Sequence, residues 1–163
     1  METLSDMYIF NFSFWMRFGA AVLCGFIVGW ERERSHKPAG LRTTILICLG
    51  SCIFVMSQEM IARLGYGVMD PSRIAGQIVT GVGFLGAGAI LHQGVTVTGL
   101  TTAATIWLIA AIGVLIGVGY VYTAVAVTVC TMLILQPLRW LERTEIFRNG
   151  NNCDKLRRND DPK

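Results

Sequence analysis

The chain has 163 residues, of which 53% are hydrophobic and only 15% are charged, and its mean hydropathy is +0.52. A soluble domain normally carries about 25% charged residues, whereas this chain has no Lys, Arg, Asp or Glu from Ile74 to Leu138. A soluble fold is therefore excluded, and the composition predicts an all-α integral membrane protein.

The N-terminal segment does not resemble a cleavable signal peptide. Its first eleven residues carry two acidic residues and no basic residue, whereas a signal peptide begins with positive charge. The first hydrophobic segment is therefore expected to remain in the protein.

The first predicted span runs from about Phe12 to Trp30. Gly25 and Gly29 lie in it four residues apart, a spacing that lets a second helix approach closely. Arg17 also lies inside the span, about 7–8 Å from its outer end at 1.5 Å per residue. Two interpretations of Arg17 stay open: its side chain extends to the membrane interface, or it has a buried partner or forms a gate.

A basic loop follows the first span. Between the first and second spans lie four basic residues: Arg32, Arg34, Lys37 and Arg42. Because loops rich in Lys and Arg remain in the cytoplasm, this loop is expected inside and the N-terminus outside.

Four further spans are predicted, at about residues 41–62, 73–92, 100–117 and 120–138. A polar hinge from His92 to Gly99 joins the third span to the fourth, and Thr101 and Thr102 are expected to cap the fourth helix. Five spans place the C-terminus in the cytoplasm, so residues 1–142 form one membrane domain and residues 143–163 a polar tail that is expected to be disordered. Eleven Lys and Arg residues then lie inside, two outside and one in the membrane.

The third span is rich in glycine. Its segment Gly81–Gly86 matches the G-x-G-x-x-G pattern of dinucleotide-binding turns. Those turns require an acidic residue about 20 positions further on, and none lies between Asp70 and Glu142, so nucleotide binding is rejected. Two interpretations remain: the glycines form a smooth helix-packing surface, or they break the helix as in transporters. The glycines predicted to pack against other helices are Gly25, Gly29, Gly81, Gly83, Gly86, Gly88, Gly113 and Gly117.

Five cysteines are present, and four of them lie in apolar spans. This placement favours small buried side chains over a disulfide framework or a metal site.

Three stretches together resemble the MgtC/SapB family of bacterial inner-membrane proteins. Their order and spacing fit that family over about residues 14 to 142, and they are Gly29–Arg34 with Lys37–Thr43, Asp70–Gln77 with Thr80–Gly88, and Gly99–Trp107. The resemblance implies a small multi-span protein associated with survival at low magnesium and, in pathogens, with virulence through growth inside host cells. Many longer members carry a soluble C-terminal domain, and a function of that domain is not expected of this chain, which ends shortly after the fifth span.

The resemblance implies two molecular activities without deciding between them. One is magnesium transport. The other is inhibition of the proton-translocating ATP synthase together with control of the membrane potential.

The predicted topology forms two polar clusters that are candidates for binding a partner or an ion. Because spans 1 and 2 are antiparallel, Arg17 and Glu59 are expected to reach the same outer depth and to form an ion pair, which offsets the cost of burying both charges. The candidates on the outer side are Arg17, Glu59, Asp70, Arg73 and Gln77. The candidates on the inner side are Glu31, Arg32, Arg34, Arg42, Thr101 and Thr102.

Two functional hypotheses follow. The first is a regulator of ion homeostasis that binds another inner-membrane protein or complex, which the resemblance suggests is the ATP synthase. The alternative is a transporter or channel subunit for Mg²⁺ or another cation, with its site at a break in the third span; the ligands of such a metal are left open. No nucleophile–base spacing occurs, so no catalytic residue and no cofactor are predicted. Besides the lipid bilayer and that partner, a second copy of the chain is a possible partner, and nucleic acid is not.

Overall fold

The structure is a computed structural model that describes residues 12–63, 70–93 and 96–143. The described residues form five α-helices and one two-stranded hairpin. These elements are α1 (Phe12–Arg34), α2 (Leu41–Arg63), α3 (Pro71–Gly88), β1 (Leu91–Gln93), β2 (Thr96–Thr98), α4 (Leu100–Val118) and α5 (Val121–Arg143).

The chain divides after Thr128 into two compact units. All the helix packing described below lies in the first unit. In the second unit, the structure describes only the part of α5 from Val129 to Arg143. The predicted polar tail falls almost entirely on residues 144–163, which lie outside the described ranges.

Three of the described helices, α1, α2 and α4, are long and apolar enough to cross a membrane. α1 and α2 have 23 residues each, or about 34 Å at 1.5 Å per residue, and so exceed a hydrocarbon core of about 30 Å. α5 contains a shorter apolar stretch from Val121 to Gln136, and α3 begins with the polar sequence Pro71-Ser72-Arg73. The chain is therefore a helical membrane protein with three clear candidate spans, and the predicted five-span topology stays a prediction.

α2 lies between α1 and α4, and glycines permit both contacts. A Cβ atom added at Gly25 would lie 2.8 Å from Cα of Ile45, and one at Gly117 would lie 2.7 Å from Cβ of Val55. Gly29 and Gly113 likewise face α2 with no room for a side chain. The prediction that these four glycines pack against another helix is confirmed, because each of them brings two backbones close together.

The glycines of α3 behave differently, because most of them meet no other helix among the described residues. An added Cβ at Gly81, Gly83 or Gly88 meets nothing within 4 Å among the described residues, and Gly86 alone faces α4, at 3.7 Å from Ala103. α3 packs on α4 through larger side chains, with Ile78 and Val82 against Ile106 and Ala110. Gly81, Gly83 and Gly88 thus take no part in this contact.

α3 is a continuous helix from Pro71 to Gly88. Of the two interpretations of the glycines, a break between Gly81 and Gly88 is therefore ruled out. The helix ends before the predicted end of the span at His92, because the chain turns after Gly88 into the β1–β2 hairpin, in which Leu91 pairs with Thr98 and His92 with Val97.

Two further boundaries differ from the predictions. α1 continues to Arg34, beyond the predicted end at Trp30, because Glu31 and Arg32 are buried and belong to the helix packing. α4 is not capped by a threonine: its N-cap residue is Gly99, in the left-handed region with φ +89° and without a side-chain hydrogen bond. Gly is required there because an added Cβ would meet the carbonyl oxygen of Ala89.

Candidate functional sites at the two helix ends

The outer cluster consists of Arg17, Glu59, Arg63 and the Gly117 carbonyl. Arg17 Nη1 lies 2.9 Å from Glu59 Oε2 and also donates to the Gly117 carbonyl oxygen at 3.0 Å. The antiparallel arrangement of α1 and α2 brings the two side chains to one level, so the predicted ion pair is confirmed. Arg17 also ties both helices to the C-terminal end of α4, where the helix dipole favours a cation.

Arg63 belongs to this cluster, although the sequence interpretation counted it only as an outer charge. Its Nη2 lies 2.7 Å from Glu59 Oε1, in an i, i+4 pair on α2. That spacing is the signal by which the pair could have been found in the sequence. Both oxygens of the Glu59 carboxylate are therefore bound by arginine.

The turn beside Arg17 depends on glycine. Gly119 follows α4 with φ +106°, and its N–H donates to the Ile116 carbonyl, while the Tyr120 N–H donates to the Leu115 carbonyl at 2.9 Å. This arrangement is a Schellman-type helix end. An added Cβ at Gly119 would also lie 3.2 Å from Nη2 of Arg17, so the turn makes room for the arginine.

Asp70, which was predicted to lie near the outer ion pair, instead caps α3. Its Oδ1 accepts from the Ser72 N–H at 2.9 Å and from Ser72 Oγ at 2.7 Å. These hydrogen bonds hold the pKa of the exposed Asp70 carboxyl below its ordinary value. Gln58, which the sequence interpretation did not single out, donates from Nε2 to the Asp70 carbonyl at 3.0 Å and so fixes the start of α3 against α2.

Arg73 and Gln77 are exposed on α3. Neither side chain makes an ion pair or a hydrogen bond to the other residues that the structure describes. Gln77 faces a groove between α2 and α3 rather than the outer ion pair. The structure therefore joins Arg17 to Glu59 but does not bring these two side chains into the same cluster.

The inner cluster consists of Glu31, Arg32, Ser35 and Thr102, and all four are buried. Arg32 Nη2 donates to Thr102 Oγ1 at 2.6 Å and thus links α1 to α4. Ser35 Oγ donates to Glu31 Oε1 at 2.7 Å. Thr102 is therefore an interhelical hydrogen-bond partner and not the predicted helix cap, whereas Thr101 is exposed and contributes its carbonyl to Thr105 Oγ1.

The loop between α1 and α2 has a fixed backbone. Glu33 Oε2 accepts from the Leu41 N–H at 3.1 Å and so satisfies one free donor at the start of α2. The Lys37 N–H donates to the Arg32 carbonyl at 3.1 Å, and His36 and Ala39 adopt left-handed conformations with φ 50° and 57°. On this frame three basic side chains are exposed: Arg34, Lys37 and Arg42.

The contact between α1 and α2 contains another polar link, which was not predicted from the sequence. Thr44 Oγ1 donates to the Gly25 carbonyl at 3.0 Å, and Thr44 is fully buried. The signal in the sequence was weak, because a threonine in an apolar span more often bonds within its own helix.

Carboxylates are the usual protein ligands of Mg²⁺, and four of them in the described residues accept hydrogen bonds from the protein. Glu31 is bound by Ser35, Glu33 by Leu41, Glu59 by two arginines and Asp70 by Ser72. Within residues 12–63, 70–93 and 96–143, no group of three or more His, Cys, Asp or Glu residues is placed to hold a metal ion. The carboxylates that the structure describes thus act in helix capping and helix linking.

Comparison with known proteins gives one family. The model of the MgtC family matches residues 18–144. YhiD of Escherichia coli, which is described as a candidate magnesium transporter, is 47% identical over 121 residues, which cover 72% of this chain and 56% of YhiD. Protein MgtC of Brucella abortus is 41% identical over 133 residues, which cover 80% of this chain and 54% of that protein.

A third relative, protein MgtC of Salmonella typhimurium, is 43% identical over 120 residues, which cover 72% of this chain and 50% of that protein. The chain spans about half the length of the curated relatives it matches. No solved structure matches the chain significantly.

Proposed function

This chain belongs to the MgtC family, and on that premise we propose that it regulates ion homeostasis and membrane energetics from the bacterial inner membrane. It acts by binding another membrane protein or complex, in adaptation to low magnesium. The proton-translocating ATP synthase is the first partner to test, because the family resemblance implies that this enzyme is the target. The proposed arrangement in the membrane is five spans with the N-terminus outside and the C-terminus in the cytoplasm.

The observation that carries this proposal is the fixed backbone of the loop between α1 and α2. A loop that served only to orient the protein would need positive charge but no defined conformation. This loop is held by Glu33 at the start of α2 and by the buried Arg32–Thr102 hydrogen bond. A preorganised surface loses less entropy when it binds, so a fixed loop that exposes Lys37, with Arg34 and Arg42 exposed at the adjoining helix ends, favours a docking surface.

The use of the carboxylates favours a regulator over a cation transporter. Mg²⁺ usually needs carboxylate ligands and retains several waters. Glu59 has both oxygens bound by arginine, and Asp70 caps a helix. The continuity of α3 removes the unwound backbone that would otherwise supply carbonyl ligands.

Transport remains the second candidate, because one relative is described as a candidate magnesium transporter. The two functions differ in whether the purified chain is sufficient for flux. The full chain is reconstituted into liposomes that contain a Mg²⁺-sensitive dye. We expect no flux above that of protein-free liposomes, and robust flux from the chain alone would overturn the proposal.

Partner binding is tested by co-purification from membranes with two matched double variants. Arg34→Gln with Lys37→Gln removes two exposed charges from the loop, whereas Arg63→Gln with Arg73→Gln removes two exposed charges from the opposite helix ends. We expect the loop variant to lose about tenfold in recovered partner and the control variant to retain it. Equal recovery with both variants would contradict the assignment of the loop as the docking surface.

A further inference from the structure

A long apolar groove lies between α2 and α3. Because α3 packs mainly against α4, it touches α2 only slightly, and a cavity of about 830 Å³ opens between α2 and α3. Pockets that bind small molecules have volumes of roughly 300–1,000 Å³. Apolar side chains and glycines line most of it, notably Leu46, Gly50 and Phe54 on α2 and Ile78, Gly81 and Leu85 on α3.

The groove is about as long as one leaflet of a bilayer is deep. Its lining runs from Thr43 to Phe54 on α2 and from Ile74 to Leu85 on α3. Each segment rises by about 16 Å at 1.5 Å per residue, and half of a typical hydrocarbon core is about 15 Å. A single acyl chain fits this length, whereas a spanning helix of a second copy would need contacts along the whole core of about 30 Å.

The position of the groove along α2 identifies the leaflet. Thr43 is the third residue of α2, so the groove begins at the N-terminal end of this helix and finishes near its middle. The basic loop lies at the same end, which the positive-inside rule places in the cytoplasm. The groove therefore faces the cytoplasmic leaflet.

A basic side chain lies one helical turn beyond the groove lining on α2. Leu46, Gly50 and Phe54 are spaced four residues apart, and Arg42 continues this row by one turn. Arg42 is exposed, and it forms no ion pair with any residue in the described ranges. The interaction of a cation with the helix dipole is unfavourable in the first turn of a helix. A bound phosphate would offset this unfavourable interaction and would attract the arginine.

We propose that this groove holds one acyl chain of an anionic glycerophospholipid of the cytoplasmic leaflet, with the lipid phosphate bound by Arg42. Gly50 and Gly81 make room for the chain, because an added Cβ at either position meets nothing within 4 Å. Exposed Arg34 and Lys37 in the adjacent loop add to the attraction of an anionic head group. Gly81, which has no helix neighbour close to an added Cβ, thereby acquires a role in lipid binding.

Two glycines of α3 provide a matched pair of variants. Gly81 lines the groove, whereas Gly83 lies outside its lining, and neither has a neighbour within 4 Å of an added Cβ. Gly81→Leu fills the groove, and Gly83→Leu adds the same side chain elsewhere on the helix. The full chain is purified in mild detergent with phosphatidylglycerol, and the bound lipid is counted by native mass spectrometry.

We expect Gly81→Leu to reduce the retained phosphatidylglycerol at least about tenfold and Gly83→Leu to match the unmodified protein. Arg42→Gln is expected to lower the preference for phosphatidylglycerol over phosphatidylcholine about fivefold. This surface variant tests the head-group contact without altering the groove. Equal lipid retention by the two leucine variants, or an unchanged preference in Arg42→Gln, would overturn the proposal.

A cross-linking experiment on the unmodified protein tests the occupant directly. Phosphatidylglycerol with a photoreactive acyl chain should label the segments from Leu46 to Phe54 and from Ile78 to Leu85. The rival occupant is a helix of a second copy, to which the amide of Gln77 in the groove could hydrogen-bond. Labelling of other segments, or a dimer that Gly81→Leu abolishes, would refute the lipid site.

Discussion

Replacing Glu59 by glutamine removes the negative partner of Arg17 and keeps nearly the same side-chain size. Arg17 would retain the Gly117 carbonyl as an acceptor but would lose the ion pair at 2.9 Å. Removing one partner of a fully buried pair costs about 3–5 kcal/mol, whereas an exposed pair contributes about 0.2–1 kcal/mol. Because the side chains of Arg17 and Glu59 are 17% and 34% exposed, we expect Glu59→Gln to cost about 1–3 kcal/mol after allowing for solvent screening.

The assay is reversible unfolding in mixed micelles, with SDS as the denaturant and circular dichroism as the signal. Arg63→Gln is the control, since Arg63 binds the same carboxylate but its side chain is 63% exposed, and we expect it to cost less than about 0.5 kcal/mol. A double-mutant cycle between Arg17→Gln and Glu59→Gln should give a coupling of about 1 kcal/mol or more. A coupling below about 0.3 kcal/mol, or an equal loss in Arg63→Gln, would refute this reasoning.

Three further outcomes are expected. In the same unfolding assay, Gly25→Ala should cost about 1–3 kcal/mol because its methyl group overlaps α2, whereas Gly83→Ala should be neutral or stabilising by about 0.4–1 kcal/mol; equal effects would contradict the helix contacts. Thr102→Val should cost about 1–3 kcal/mol by removing an acceptor of buried Arg32. Thr102→Ser keeps the hydroxyl and should retain most of that stability. The pKa of Asp70 is lowered in the folded protein. Its carboxylate therefore stabilises the fold above the unfolded pKa of about 3.9, and this stabilisation is lost as the pH falls through the lower folded pKa. The stability difference between the unmodified chain and Asp70→Asn should therefore be present at neutral pH and vanish in strong acid, and a difference that persists in acid would contradict the role of the charge.

The sequence was sufficient to predict the features that depend on the types and spacing of residues within one segment. A long apolar run favours a membrane segment, and a charge inside such a run is stabilised by a partner at the same depth, which is why the pairing of Arg17 with Glu59 could be predicted. Gly25, Gly29, Gly113 and Gly117 were also correctly predicted to pack, because each pair has the four-residue spacing of close helix contacts.

The features that the sequence did not predict depend on how each helix is rotated about its axis. The glycines of α3 have a composition that suits packing, but Ile78 and Val82 make the contact with α4 and turn Gly81 and Gly83 away. Similarly, Thr102 lies where a helix cap is expected, yet Arg32 reaches it from α1. The spacing of residues along one helix specifies neither the rotation of that helix about its axis nor a hydrogen-bond partner on a distant helix. The prediction that Cys48 and Cys52 are buried was correct, and Cys24 is buried as well.

The close approach of α1 and α4 to α2 also gives the protein its own chemical reporters. Two backbones pressed against α2 leave space only for small side chains there, and Cys48 and Cys52 are completely buried in those contacts. A thiol reagent applied to the folded protein should therefore react slowly with Cys48 and Cys52, because their modification requires the three helices to separate. The rate at which those two thiols react would measure how often this membrane core opens, without any engineered label.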